Sequence, residues 1–153
     1  MFSSSGELTP REVAIQLLAR REYSRAELAC KLQQKSFQPD EITVCLDTLA
    51  EQNLQSDERF AESFIRSRIF RGQGVIRIKG ELRQRGVDQE TLRTALASVE
   101  EREAVDWFEL ACDTLRRRFS TPGDTPKERA KRERFLATRG FDFEQIRYAL
   151  SCL

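Results

Sequence analysis

Apolar residues along the chain recur three and four positions apart, in short runs broken by polar turns, and that period predicts helices rather than strands. Thr9-Pro10-Arg11-Glu12 supplies a capping hydroxyl, a proline at the first helical position and a glutamate three residues after the cap. Val13, Ala14, Leu17 and Leu18 follow at helical spacing, so a first helix is expected to end near Glu22. Ser24-Arg25-Ala26-Glu27 is a second capping box, opening a helix with Leu28 and Leu32 on one face. Pro39-Asp40-Glu41 begins a third helix with Ile42, Leu46 and Leu49 turned inward. Three short helices joined by tight turns make one unit.

That unit recurs. Phe37 follows Lys35-Ser36, Val87 follows Arg85-Gly86, and Phe141 follows Arg139-Gly140. Five residues before these anchors lie Leu32, Leu82 and Leu136; five after lie Ile42, Leu92 and Ile146. Eight after lie the small residues Cys45, Ala95 and Ala149, and nine after lie Leu46, Leu96 and Leu150. The anchors stand 50 and 54 residues apart, which reads as a threefold internal repeat. Gly86 and Gly140 suit the left-handed residue that closes a helix; Ser36 fills the same place with a side chain.

The remaining helices complete each unit. Asp57-Glu58-Arg59-Phe60-Ala61 opens one, with Phe60, Phe64 and Ile65 apolar. The stretch from Glu103 to Arg118 carries Ala104, Trp107, Phe108, Ala111 and Leu115, extended by Phe119, as the longest apolar stripe, and Trp107 reads as core. After the break at Ser120 to Asp124, Thr125-Pro126-Lys127-Glu128 restarts a helix with a further capping box. The expected fold is all-α: three tandem three-helix repeats, about nine helices, forming an elongated, curved array. Residues 1–8 are expected as a flexible N-terminal tail, with repeats over 9–55, 56–100 and 101–153.

Composition narrows the chemistry. With no histidine, Ser-His-Asp and Cys-His catalysis drop out, as does the usual general base at neutral pH. Gly72-Gln73-Gly74 lacks the context of a phosphate-cradling loop, and acid pairs such as Asp57-Glu58 sit at helix starts, where they complement the dipole. Cys30, Cys45, Cys112 and Cys152 are widely spaced without a CxxC pair and are expected as structural thiols in a reducing compartment. The first eight residues lack a signal-peptide pattern and no run of roughly 18 apolar residues occurs, so a cytosolic protein without a membrane span is expected. No catalytic residue, metal or cofactor is expected.

Net charge is only +1, and the distribution says more than the sum. Between Arg66 and Arg85 seven basic residues (Arg66, Arg68, Arg71, Arg77, Lys79, Arg83, Arg85) face a single acid, Glu81. In the third unit Arg116-Arg117-Arg118 ends one helix, and Lys127, Arg129, Lys131, Arg132, Arg134 and Arg139 populate the next. A charge run is ordinarily a solvated helix face. Recurrence in corresponding parts of two units points instead to a shared contact surface for an acidic partner or a phosphate backbone. The candidate contact residues are Arg66, Arg68, Arg71, Arg77, Lys79, Arg83, Arg85, Arg116, Arg117, Lys127 and Lys131. Aromatic residues do not interleave with them as a base-stacking groove requires. Acids at Asp40-Glu41, Asp88 and Glu90, and Asp142 and Glu144 argue against helices that read DNA bases.

The run from Asp57 through Arg68, then Gly72-Gln73-Gly74, then Gly80-Glu81-Leu82-Arg83-Gln84-Arg85-Gly86-Val87, resembles the central signature of the RecX family. Leu17 to Leu28 with Lys31-Leu32 is similar to the family's first unit, and Phe135-Leu136-Ala137-Thr138-Arg139-Gly140-Phe141 to its last. The resemblance implies a small bacterial cytosolic regulator built of three-helix repeats. It further implies binding to the filament of RecA on single-stranded DNA, lying in its groove and limiting filament growth, ATP hydrolysis and strand exchange. The setting so implied is DNA repair, homologous recombination and the SOS response, with no cofactor; some members also bind DNA directly. A monomer is expected. The alternative is a nucleic-acid-binding helical module acting independently of RecA, against which the near-zero net charge weighs.

Overall fold

The computed structural model describes residues 7–153, so most of the tail expected over 1–8 lies outside the described residues. Among the described residues there are nine helices and no strand: α1 (Pro10–Leu18), α2 (Arg25–Gln34), α3 (Pro39–Glu51), α4 (Asp57–Phe70), α5 (Val75–Gln84), α6 (Gln89–Arg102), α7 (Trp107–Arg118), α8 (Pro126–Thr138) and α9 (Phe143–Ser151). They group in threes as the repeat pattern requires, the first helix of each trio packing on its third. Each trio encloses its own core. The first is built around Leu28, Leu32, Leu46 and Leu49, the second around Phe60, Ile65, Ile78, Leu82 and Val99, and the third around Leu115, Leu136, Phe141 and Ile146. The apolar positions that align the repeats are therefore the positions that fill the cores.

The capping boxes at Thr9, Ser24 and Thr125 all form, each side chain accepting from the amide three residues on. Backbone amides at these starts, and at Asp88, hold the carboxyls of Glu12, Asp88 and Glu128 below their ordinary range.

Helix ends depart from expectation in two places. The first helix stops at Leu18 instead of near Glu22, with the amides of Arg20 and Arg21 turning back to the Leu17 carbonyl at 3.0 and 3.4 Å. Tyr23 and Ser24 are buried just beyond, and Glu22 accepts from Arg59 of the second repeat at 3.0 Å, so the chain leaves the helix early to reach its neighbour. The seventh helix starts at Trp107, not Glu103. Ala104 takes a left-handed φ of 48° to close α6, and Asp106 caps α7 by accepting from the amides of Phe108 and Glu109. Ala104 thus belongs to a turn and not to the apolar stripe. Trp107 does pack inside, but against the core of the second repeat, with its indole N–H donating to Glu100 at 2.7 Å.

The cysteine expectation needs a correction. Cys112 and Cys152 are joined in a disulfide across 40 residues, their Cα atoms 6.3 Å apart, leaving Cys30 and Cys45 as thiols. Close packing of α7 on α9 brings the pair together, a proximity that their sequence separation does not reveal. Burial pushes the Cys45 thiol up, away from the thiolate that reacts, in keeping with its place among packed side chains.

The three repeat-closing turns share a left-handed residue: Ser36 at φ 69°, Gly86 at 84° and Gly140 at 99°. What distinguishes them is the neighbour. A Cβ on Gly86 would collide with the Cβ of Ala26, and one on Gly140 with the Cβ of Arg77 and its amide nitrogen. Each junction seats the start of one repeat's second helix on the turn of the next repeat. At the first, the Ser24 hydroxyl donates to the Arg85 carbonyl at 2.8 Å. At the second, the amides of Gly74 and Ile76 donate to the carbonyls of Arg139 (2.7 Å) and Gly140 (3.1 Å). Among the described residues no repeat is seated on the first turn, and Ser36 is exposed. Ser36→Gly is expected to relieve left-handed strain and stabilise the fold by about 0.5–1 kcal/mol, a rise of roughly 1–4 °C in a thermal melt. A lower melting temperature would show that the serine contributes more than its strain costs.

Candidate interaction surface

The eleven basic candidates do not form one patch. The Arg66 guanidinium lies 3.4 Å from both Glu62 and Glu103. Arg68 pairs with Glu81 at 3.2 Å and sits 4.2 Å over the Phe64 ring, its side chain only 14% exposed. Arg77 pairs with the same Glu81 at 3.5 Å and donates to the Thr138 carbonyl. Arg85 reaches across the first junction to Glu27 at 2.7 Å. These four are engaged in contacts within the fold. Lys79 and Arg83, one turn apart on α5 with Ile78 and Leu82 buried behind them, have no hydrogen-bond or ion-pair partner among the described residues. Lys127 and Lys131 stand likewise exposed on α8, while Arg116 pairs with Asp113 at 3.2 Å.

Two clefts gather arginines at the junctions. The first, of about 310 Å3, is lined by Arg21 and Glu22 from the α1–α2 loop, by α4 from Phe60 to Arg68, and by Arg71 and Arg85. The second, of about 140 Å3, is lined by Arg71 and Gly72 before α5, by Thr114, Arg117 and Arg118 on α7, and by Phe135 and Arg139. Of the candidates, Arg68, Arg71 and Arg85 meet in the first cleft and Arg71 and Arg117 in the second; Arg66, Arg77, Lys79, Arg83, Arg116, Lys127 and Lys131 line neither. Arg21, Arg118 and Arg139 were not among the candidates. The signal that finds them is register: Arg71 stands 50 residues after Arg21, Arg118 stands 50 after Arg68, and Arg139 stands 54 after Arg85. Repeat offsets applied to basic residues, and not only to apolar ones, place the same three arginines at both junctions.

Among the described residues no group of three or more His, Cys, Asp or Glu is placed to hold a metal, and no helix is long and apolar enough to cross a membrane. Three small helical units in series, presenting charged clefts at their seams, define a repeat-built binding scaffold. Profiles of the first, second and third three-helix domains of RecX match residues 11–49, 56–96 and 104–150 in that order. The regulatory protein RecX of Chromohalobacter salexigens is 57% identical over 148 residues, covering 97% of this chain and 95% of its own. That of Halorhodospira halophila is 43% identical, covering 91% and 84%. The chain belongs to the RecX family. The crystal structure of RecX from Lactobacillus salivarius superposes with a TM-score of 0.74 over 94% of this chain and 96% of that one; at 22% identity it speaks to the fold. A second RecX crystal structure gives 0.77 over 93% and 71%, at 21% identity.

Proposed function

We propose that this chain binds the filament of RecA on single-stranded DNA and restrains its ATP hydrolysis, extension and strand exchange. The observation that carries the reading is the ordered match of all three repeats to the three RecX domains. A series of units, each making a modest contact, suits a filament whose subunits also repeat, because weak contacts linked in one chain add up. The protein acts as a cytosolic monomer. Lys79, Arg83, Arg117, Lys127 and Lys131 contact the filament directly, since they are the candidates left unpaired within the fold. Arg71 joins them from the rim of both clefts. Arg77 and Arg85 contribute positive potential while they bridge neighbouring repeats, and Arg66, Arg68 and Arg116 do so while paired with nearby carboxylates. Co-sedimentation of the folded chain with preformed RecA filaments on single-stranded DNA tests the reading. The chain is expected in the pellet at low salt, and progressively in the supernatant as salt rises. A chain that stays in the supernatant at every salt concentration, with filaments formed, contradicts it.

A further inference from the structure

The first junction closes its arginines with the protein's own carboxylates. Glu27 accepts from Arg85 at 2.7 Å and lies 3.5 Å from Arg21, while Glu81 takes Arg68 at 3.2 Å. At the second junction the arginines recur and the carboxylates do not. Gly72 stands 50 residues after Glu22, Arg77 stands 50 after Glu27, and Phe135 stands 54 after Glu81. Ser67 gives way to Arg117 at the same offset of 50, adding a fourth arginine. None of Arg71, Arg117, Arg118 and Arg139 has a carboxylate within ion-pair distance among the described residues.

The cleft is built before anything enters it. Arg139 lies 4.9 Å over the Phe135 ring and donates to the Arg71 carbonyl at 3.3 Å, and Arg118 lies 5.2 Å from the Phe119 ring centre. Beneath them the Thr114 hydroxyl donates to the Gly72 carbonyl at 3.2 Å, and Gly72 is held at φ 79°. Four like charges converging without a counter-charge repel one another, so an anion that enters relieves the repulsion as well as making its own bonds.

We propose that this second junction cleft binds a phosphate group, seated where the first junction seats the Glu27 carboxylate. At the first junction one carboxylate is shared by two arginines; four uncompensated guanidinium groups exceed what one carboxylate neutralises, and they match a phosphate's larger set of acceptor oxygens. The cleft, about 140 Å3, is lined mainly by arginines, which suits recognition of backbone phosphate independent of sequence. Arg71 lines both clefts, which points the strand entering the second toward the first. The proposal stands apart from the RecA reading, because the chain alone is tested.

The test is fluorescence anisotropy of the full chain with a labelled oligodeoxythymidine, titrated over salt, beside thermal shifts with inorganic phosphate in place of chloride at matched ionic strength. Wild type is expected to bind the oligonucleotide. R118A/R139A is expected to weaken binding at least about tenfold and to lessen the slope of log affinity against log salt by roughly one. R117E, an exposed position without a partner within the fold, is expected to weaken binding without lowering the melting temperature, which keeps the test decisive should the double variant fold poorly. A phosphate-induced rise in melting temperature, lost in the variants, without oligonucleotide binding supports the site and assigns it to a free phosphate. Equal binding and equal phosphate response by wild type and a folded R117E overturn the proposal. So does displacement of the oligonucleotide by poly-glutamate as readily as by polyphosphate, which gives the cleft to an acidic protein. Failure of wild type to respond to either phosphate or oligonucleotide overturns it as well.

Discussion

Replacing Gly140 with valine is expected to lower the melting temperature by at least about 8–16 °C, from roughly 4 kcal/mol or more of lost stability. Three costs combine. A β-branched residue at φ 99° carries about 1–2 kcal/mol of left-handed strain. Its side chain would press into the Cβ and backbone of Arg77, an overpacking worth about 1–3 kcal/mol. The displaced turn would then weaken the two backbone hydrogen bonds that Gly74 and Ile76 donate to it, at about 1 kcal/mol each. Ser36→Val separates these causes, because it keeps the left-handed φ of 69° but meets no neighbouring repeat. Its expected cost is well below that of Gly140→Val, because serine already carries a Cβ at this φ and only the added β-branching is new. Circular dichroism melts of the two variants decide: equal drops would mean that the junction contributes nothing to the demand for glycine.

The second large effect concerns binding without unfolding. K79E/R83E is expected to weaken association with RecA filaments by about tenfold or more near 0.1 M salt, and to leave the melting temperature within about 2 °C of wild type. Both residues sit on the outer face of α5 without internal partners, so reversing them removes attraction from the surface and nothing from the core. R85A is expected to do the opposite. It removes the 2.7 Å pair with Glu27 across the first junction and the packing over Phe64, costing about 1 kcal/mol, a fall of a few degrees, with a smaller direct effect on binding. Comparing melts and filament affinity for the two variants separates a residue that touches the partner from one that positions the repeats. If K79E/R83E binds as wild type does, the α5 stripe is a solvated face.

The fold was readable because one set of residues does two jobs: Leu32, Leu82 and Leu136, with Ile42, Leu92 and Ile146, both mark the repeat and fill the cores. Capping boxes at Thr9, Ser24 and Thr125 were equally plain, since their hydrogen bonds span only three residues. Contacts between repeats were less visible. The early end of α1 answers to Arg59, 37 residues beyond Glu22, and the disulfide joins residues 40 apart. Not every phenylalanine is core either: Phe70 and Phe143 are 85% and 67% exposed, because their helical phase turns them outward. For the site, density of positive charge singled out α5 and the end of α7, whereas the junction clefts depend on single arginines set at equal offsets. Arg21 sits beside Arg20 and Arg25 but also beside the acids Glu22 and Glu27, so local charge density does not single it out, although Arg71 is its counterpart one repeat later.

The departure at Ser36 is explained by the same architecture. A glycine is needed where a left-handed turn must also receive the preceding repeat, as at Gly86 and Gly140, and among the described residues no repeat is seated on Ser36.

The central claim is most directly tested by DNA-stimulated ATP hydrolysis of RecA from the same organism, titrated with this chain at amounts well below RecA. The account predicts inhibition at those substoichiometric amounts, weakened in K79E/R83E and preserved in variants that leave the junctions and α5 intact. Undiminished hydrolysis, with the chain folded and filaments formed, would contradict it and leave phosphate binding by the isolated chain as the activity to pursue.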